Sequence, residues 1–258
     1  MLVLALDSSA TASVVLARVH GSEAGASFDI LARFESEDTR SHAEVMAPFA
    51  RAALQEAGVR GEDLDAILTG TGPGPFTGLR AGIVTARALG FAWSVPVYGM
   101  MSLTALAERA YQERVFAQDG GADGTEGAEL LVASDARRRE VYSAHYRVNA
   151  EGYTLVDGPT VSLASEILSG EGPSYAYGYG AGLYAETLEG HGWTIVEAAR
   201  QVHPHAEYLV AAAARLGVQN LSEDTSALYL RDSDAKVPAA MLARQQKQAA
   251  QAAAQKGS

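Results

Sequence analysis

The sequence predicts a mixed α/β fold, a mixed sheet with helices on its faces. Three observations predict it. Residues 2–6 are a continuous apolar run that stops at Asp7, the pattern of a buried strand. Phe28, Ile30, Ala32 and Phe34 alternate with Asp29, Arg33 and Glu35, the period of a half-buried strand. After Ser41 and Glu44 the apolar spacing becomes helical, so the order over the first hundred residues reads β-β-β-α-β-α-β.

Each element has its own signal. Ser13–His20 is the second strand, between the apolar run and the alternating segment. Ser41 with Glu44 reads as a capping box, followed by Val45, Met46, Phe49, Ala53, Leu54 and Ala57 on one helical face. Gly58 closes that helix. Asp65–Thr71 reads as a strand, Phe76–Trp93 as a helix and Pro96–Tyr98 as a short final strand. Further on, Leu103–Phe116 reads as helical and Asp119–Gly127 as an acidic loop. Glu129–Ser134 and Glu140–Val148 read as strands flanking Asp135-Ala136-Arg137. Gly178–Gly182 reads as a strand-to-helix loop, Ala206–Leu216 as an alanine-rich helix and Ser226–Arg231 as a last strand. A boundary near residue 102 divides residues 1–102 from 103–235. The Ala- and Gln-rich tail 236–258 is either a frayed extension or a docking helix or basic contact arm.

Composition narrows the chemistry. The 258 residues are 48% hydrophobic and 20% charged, a globular balance. No cysteine is present, which excludes disulfides, Cys-ligated zinc, iron–sulfur clusters and thiol catalysis. The net charge of −11 argues against tight nucleic-acid binding by the chain alone. Lys236, Lys247 and Lys256, all in the tail, are the only lysines, so the body holds no P-loop or Schiff-base lysine. The longest apolar stretch, residues 81–103, is broken by Arg87 and Pro96 and fails as a membrane span. A soluble, cytoplasmic protein without membrane contact is the expectation.

Four motifs have both a structural and a chemical reading. Gly70–Arg80 (GTGPGPFTGLR) joins a strand to a helix and is either a tight turn or an anion site. It matches neither a P-loop nor the dinucleotide glycine pattern. Asp7, Ser8 and Ser9 form either a polar hairpin turn or a remnant of a phosphate loop. His203, His205 and Glu207 are either a helix start or metal ligands, with Pro204 favouring the former. Arg137-Arg138-Arg139 is either a solvated turn or a contact for tRNA or an acidic partner surface.

The segment GPGPFTGLRAG resembles the Gly-Pro-Gly-Ser-Phe-Thr-Gly-Leu-Arg-x-Gly signature of the TsaB (YeaZ) family, with Pro75 in place of serine. Other segments agree: LALDSSATASVVL at the start, Ser41-His42-Ala43-Glu44, Asp135-Ala136-Arg137 before Glu140-Val141-Tyr142, and Leu228-Tyr229-Leu230-Arg231. Ala227 stands where that family commonly has proline. The resemblance implies an actin-like ATPase (ASKHA, RNase H-like) fold with two lobes, each on a β-β-β-α-β-α core. It implies a non-catalytic dimerisation and activation subunit of the machinery that attaches threonylcarbamoyl to the adenosine next to the tRNA anticodon. The expected partners are the catalytic paralogue TsaD, the small ATPase TsaE, tRNA through the complex, and a second copy of the chain. The metal-binding His-x-x-x-His motif of TsaD is missing, since Met46 follows His42 and Glu207 follows His203 at that spacing. ATP and metal are therefore expected in the partner or the assembled complex, with Asp7, Ser8 and Ser9 the only cofactor candidates here. The alternatives are a glycoprotease-like metallopeptidase, an actin-fold kinase, or a homodimeric scaffold without a catalytic partner.

The candidate partner interface is a stripe of small residues. Gly78, Gly82, Ala86 and Gly90 recur every four residues and share one ridge of their helix. Three glycines on one ridge cost roughly 1 kcal/mol each, so something approaches closely. That neighbour is either the chain's own sheet or helix 41–57, or a partner helix. In the second case the stripe, Phe76, and Val45 and Phe49 of the preceding helix would form the surface.

Overall fold

The structure is a computed structural model and describes residues 1–36, 42–117, 127–170 and 172–231. Two five-stranded sheets are built alike. The first has β1 (Leu2–Asp7), β2 (Ala12–His20), β3 (Ser27–Ser36), β4 (Ala66–Gly70) and β5 (Val97–Met100), in the order β3-β2-β1-β4-β5. The second has β6 (Glu129–Asp135), β7 (Glu140–Asn149), β8 (Gly152–Leu163), β9 (Ser174–Tyr177) and β10 (Thr194–Ile195), in the order β10-β9-β6-β7-β8. In each sheet the first three strands pair antiparallel and the last two run parallel to the first.

The helices complete five layers. Helices α1 (His42–Ala57) and α2 (Phe76–Trp93) cover one face of the first sheet through Met46, Ala50, Ala53, Leu54 and Ala86, against Leu4, Leu6, Val14 and Leu16. The opposite face, with Val3, Ala5, Val15 and Ala17, is covered by Leu209, Val210 and the alanines of α6 (Ala206–Leu216). Helix α3 (Leu103–Gln112) lies beside α6 and buries Leu103 and Leu106 against Leu130, Val132 and Tyr146 of the second sheet. Helices α4 (Tyr179–Leu183) and α5 (Ala185–Gly190) cover its outer face. The alanine content of α6 follows from this place, because small side chains let a helix approach its neighbours closely. The span 103–235 thus sends a helix back onto the first sheet.

The first hundred residues match the sequence reading in element order, but the single alternating face read for β3 is broken by a bulge at Leu31, so that Phe28 packs toward α6, Ala32 and Phe34 pack toward α1, and Ile30 is exposed. Gly58 has φ +64, and Gly58 N–H and Val59 N–H donate to Gln55 and Leu54 carbonyls, a Schellman stop to α1. The capping-box residue Ser41, the loop at 119–126 and the tail lie outside the described residues.

The second half departs from expectation. β8, β9, β10 and α5 carry no clear period. β8 has exposed and half-buried residues in succession because it is an edge strand over a partly open face. The helix expected to reach Phe116 ends at Gln112, and Arg114 turns the chain at φ +50 before a 3-10 turn at Val115–Ala117. Gly178–Gly182 is not a loop, since α4 starts at Tyr179. Ser226–Arg231 is not a strand. It runs as an extended strap whose Leu228 N–H donates to the Thr71 carbonyl, without a ladder. No described helix is long and apolar enough to cross a membrane.

Candidate functional site

The turn after β1 is where an actin-like protein would hold phosphate, and here it is filled from within. Asp7 is fully buried. Ser9 donates to its Oδ1 through both N–H (2.9 Å) and Oγ (2.7 Å), and Ser102 Oγ donates to Oδ2 at 2.6 Å. Ser102 Oγ in turn accepts from Gly72 N–H at 3.0 Å. A Cβ on Gly70 would lie 1.8 Å from Oδ2, so β4 seals the carboxylate from its remaining side. Burial holds the Asp7 carboxyl above its ordinary value of 3.8, against the opposing pull of the Ser102 and Ser9 hydrogen bonds. A carboxylate that organises a metal through water needs free oxygens, and these are engaged. Thr11 Oγ1 is buried without a hydrogen-bond partner, but one hydroxyl does not make a phosphate cradle. The residues present do not fit a nucleotide phosphate or its metal.

Because the proton is held more tightly in the folded state, the contribution of Asp7 to stability is full below pH 3.8. It is lost as pH rises through the elevated value. Asp7→Asn carries no such loss. Its melting temperature relative to the unmodified chain should climb as pH rises above 3.8. A difference that stays flat as pH rises would refute the assignment.

Ser8 locks the glycine signature in place. Its Oγ donates to the Gly78 carbonyl at 2.7 Å and accepts from Gly82 N–H at 3.0 Å, the two groups that face each other across one turn of α2. A Cβ on Gly82 would sit 2.4 Å from that oxygen. Gly78, Gly82, Ala86 and Gly90 are all buried within the chain, Gly90 against Val97. The stripe thus serves the chain's own sheet and not a partner, and Gly70–Arg80 is a tight structural joint. Gly82→Ala should lower stability by about 1–3 kcal/mol, read from the urea midpoint. A neutral effect would mean that Ser8 swings away freely.

The remaining candidates separate. His205 precedes α6 without capping it. The cap comes from Ser13, whose Oγ accepts from Ala206 N–H at 3.0 Å. His205 pairs with Glu35, Glu207 pairs with Arg33, and the His203 ring packs on Tyr179 at 4.7 Å. These three do not converge on a metal. Val45 and Phe49 are half-buried in the core, with Phe49 against the Phe34 ring. Phe76, 54% exposed, keeps a surface position.

Two features escaped the sequence reading. The outer side of α2 carries Val84, 61% exposed, and Phe91, 90% exposed, seven residues apart on one face. The signal was a second apolar line, displaced from the glycines. The strap from Ser222 also crosses the cleft between the lobes. Arg87 Nε donates to Thr225 Oγ1 at 2.6 Å, Arg80 Nε donates to Tyr229 OH at 2.8 Å, and Arg231 pairs with Glu140. At the cleft mouth a cavity of about 550 Å³ is lined by Phe76, Tyr229, Tyr142, Arg137 and Arg138 among others. Arg137, Arg138 and Arg139 are exposed and all left-handed, with φ of +61, +55 and +68. Each such residue costs roughly 1–2 kcal/mol.

Two lobes of matching strand order with helices on both faces define an actin-like protein, and here its phosphate loop is closed by its own side chains. A family profile described as TsaD, tRNA N6-adenosine threonylcarbamoyltransferase, matches residues 29–239. An uncharacterized protein of Mycobacterium tuberculosis is 43% identical over 130 residues, 50% of this chain and 52% of that protein. The chain thus spans about half the length of such relatives. The tRNA threonylcarbamoyladenosine biosynthesis protein TsaB of Escherichia coli is 28% identical over 75% of this chain and 82% of its own. A crystal structure of a Pseudomonas aeruginosa protein similar to peptidase YeaZ superposes with a TM-score of 0.70 at 29% identity. It covers 89% of this chain and 99% of that one. The chain belongs to this TsaD-type family, on its TsaB (YeaZ) branch.

Proposed function

We propose that this protein takes part in tRNA threonylcarbamoyladenosine biosynthesis as a non-catalytic subunit. It pairs with the catalytic transferase TsaD and keeps it competent, with the small ATPase TsaE as a third member. The names of its relatives support the pathway. The observation that carries the non-catalytic role is the self-filled turn at Asp7 and Ser8. ATP and metal belong to the partner or the assembled complex, and tRNA is met through that complex.

The outer face of α2, with Val84 and Phe91, is the surface offered to the partner. Exposed apolar side chains aligned along one helix mark such contacts. The test is reconstitution with the transferase and ATPase of the same genome on tRNA lacking the modification. Product should form only when this chain is present, and Asp7→Asn should leave the yield intact. Full yield without this chain, or product from this chain alone, would overturn the reading. Light scattering of the pure chain shows whether a second copy covers the same face instead.

A further inference from the structure

We propose that the cavity at the cleft mouth binds one unpaired nucleotide of an RNA strand. The base would lie on Tyr229 and the phosphate at Arg137 and Arg138. This rests on the tRNA reading above and places an RNA contact on this chain.

The residues come together from three distant parts of the sequence. Phe76 and Tyr229 stack with ring centroids 5.2 Å apart at 30°, and the Arg80 guanidinium lies 3.8 Å over the Phe76 ring. Tyr229 is 44% exposed, so the pair forms a platform open to solvent on the tyrosine side. The arginine turn faces it across the cavity, held by Arg137 N–H donating to Asp135 Oδ1 at 2.8 Å and by the Arg137–Asp135 ion pair at 3.1 Å. Among the described residues that line the cavity, Arg137, Arg138 and Arg231 stand against the carboxylate of Asp135, in a chain of net charge −11. A volume of about 550 Å³ suits a small planar ligand. An aromatic platform facing guanidinium groups is the pairing that single-stranded RNA uses, base on ring and phosphate on fork. Three successive left-handed residues are a costly way to build an ordinary turn, and such strain concentrates where a ligand is held.

The test is fluorescence anisotropy of the full chain with a short labelled single-stranded RNA at several low salt concentrations. Tyr229→Leu should weaken binding about five- to 150-fold with the salt slope unchanged. Arg138→Ala should lower the slope of log affinity against log salt by about 0.7. Both positions are exposed, and melting temperatures confirm folding. Absence of binding, or two variants that bind like the unmodified chain, overturns the proposal. So does equal competition by duplex RNA or an acidic peptide, which would mean charge alone. Equal binding of free adenosine monophosphate would assign the cavity to a nucleotide instead. A chain that binds RNA through these residues yet does not support tRNA modification would overturn the functional reading and leave this site standing.

Discussion

Val84→Asp with Phe91→Asp should abolish association with the proposed partner TsaD while the chain keeps its melting temperature to within a few degrees. Both side chains point outward from α2, Phe91 at 90% exposure, so their loss removes little from the core. In an assembled interface the same positions would be desolvated. A carboxylate buried there without a partner costs several kcal/mol, enough to weaken binding by 100-fold or more. Gel filtration of the mixed subunits and calorimetric titration read the effect directly. Association at unmodified strength by a well-folded double variant would remove this face from the interface.

Glu108→Ala should cost about 3–5 kcal/mol of stability. Glu108 sits on α3 with its side chain 3% exposed, between the two sheets. Its Oε2 accepts from Arg215 Nε and from Tyr153 OH, both at 2.8 Å, and its Oε1 accepts from Gln112 Nε2 at 3.0 Å. Arg215 also lies 4.0 Å over the Tyr153 ring. Burial, followed by the Glu108 charge, pushes the Tyr153 hydroxyl well above its ordinary value, so it stays a donor at every physiological pH. Truncating the carboxylate strands the guanidinium in a poorly solvated seam, and that loss exceeds what the pair itself contributes. Glu108→Leu combined with Arg215→Leu should recover much of the deficit, because neither charge is then left alone. Urea denaturation measures both. A cost under about 1 kcal/mol for the single variant would show that water reaches Arg215.

The first sheet was legible because β1, β2 and β4 are largely buried and β3 alternates in hydropathy, although the bulge at Leu31 puts Phe28 on one face and Ala32 and Phe34 on the other, and α2 begins and ends where its sequence says. Period alone could not reveal β8, whose open face removes the apolar alternation that marks a strand. Nor could it find the strap, which is extended but meets the first lobe's backbone only at isolated points, Ser222 to Gly99 and Leu228 to Thr71, without a ladder. The stripe at Gly78–Gly90 was visible as a close approach, yet its neighbour was not. Ser8 is far from Gly82 in sequence, and only the folded chain brings them to 3.0 Å. The carboxylate of Asp7 read as a polar turn or a phosphate loop until Ser102, from the start of α3, proved to cover it.

Helix α6, which shares the middle layer with α3 and covers the first sheet, also sets the order in which the chain can be made. One face of the first sheet waits for a helix almost 200 residues downstream, as the Ser13–Ala206 bond with its separation of 193 shows. During synthesis the N-terminal half therefore emerges from the ribosome with Val3, Ala5 and Val15 uncovered. Contacts this far apart in sequence close slowly. The two halves are alike in plan but not separable in practice. A message truncated before codon 206 would yield an aggregation-prone fragment in place of a smaller working lobe.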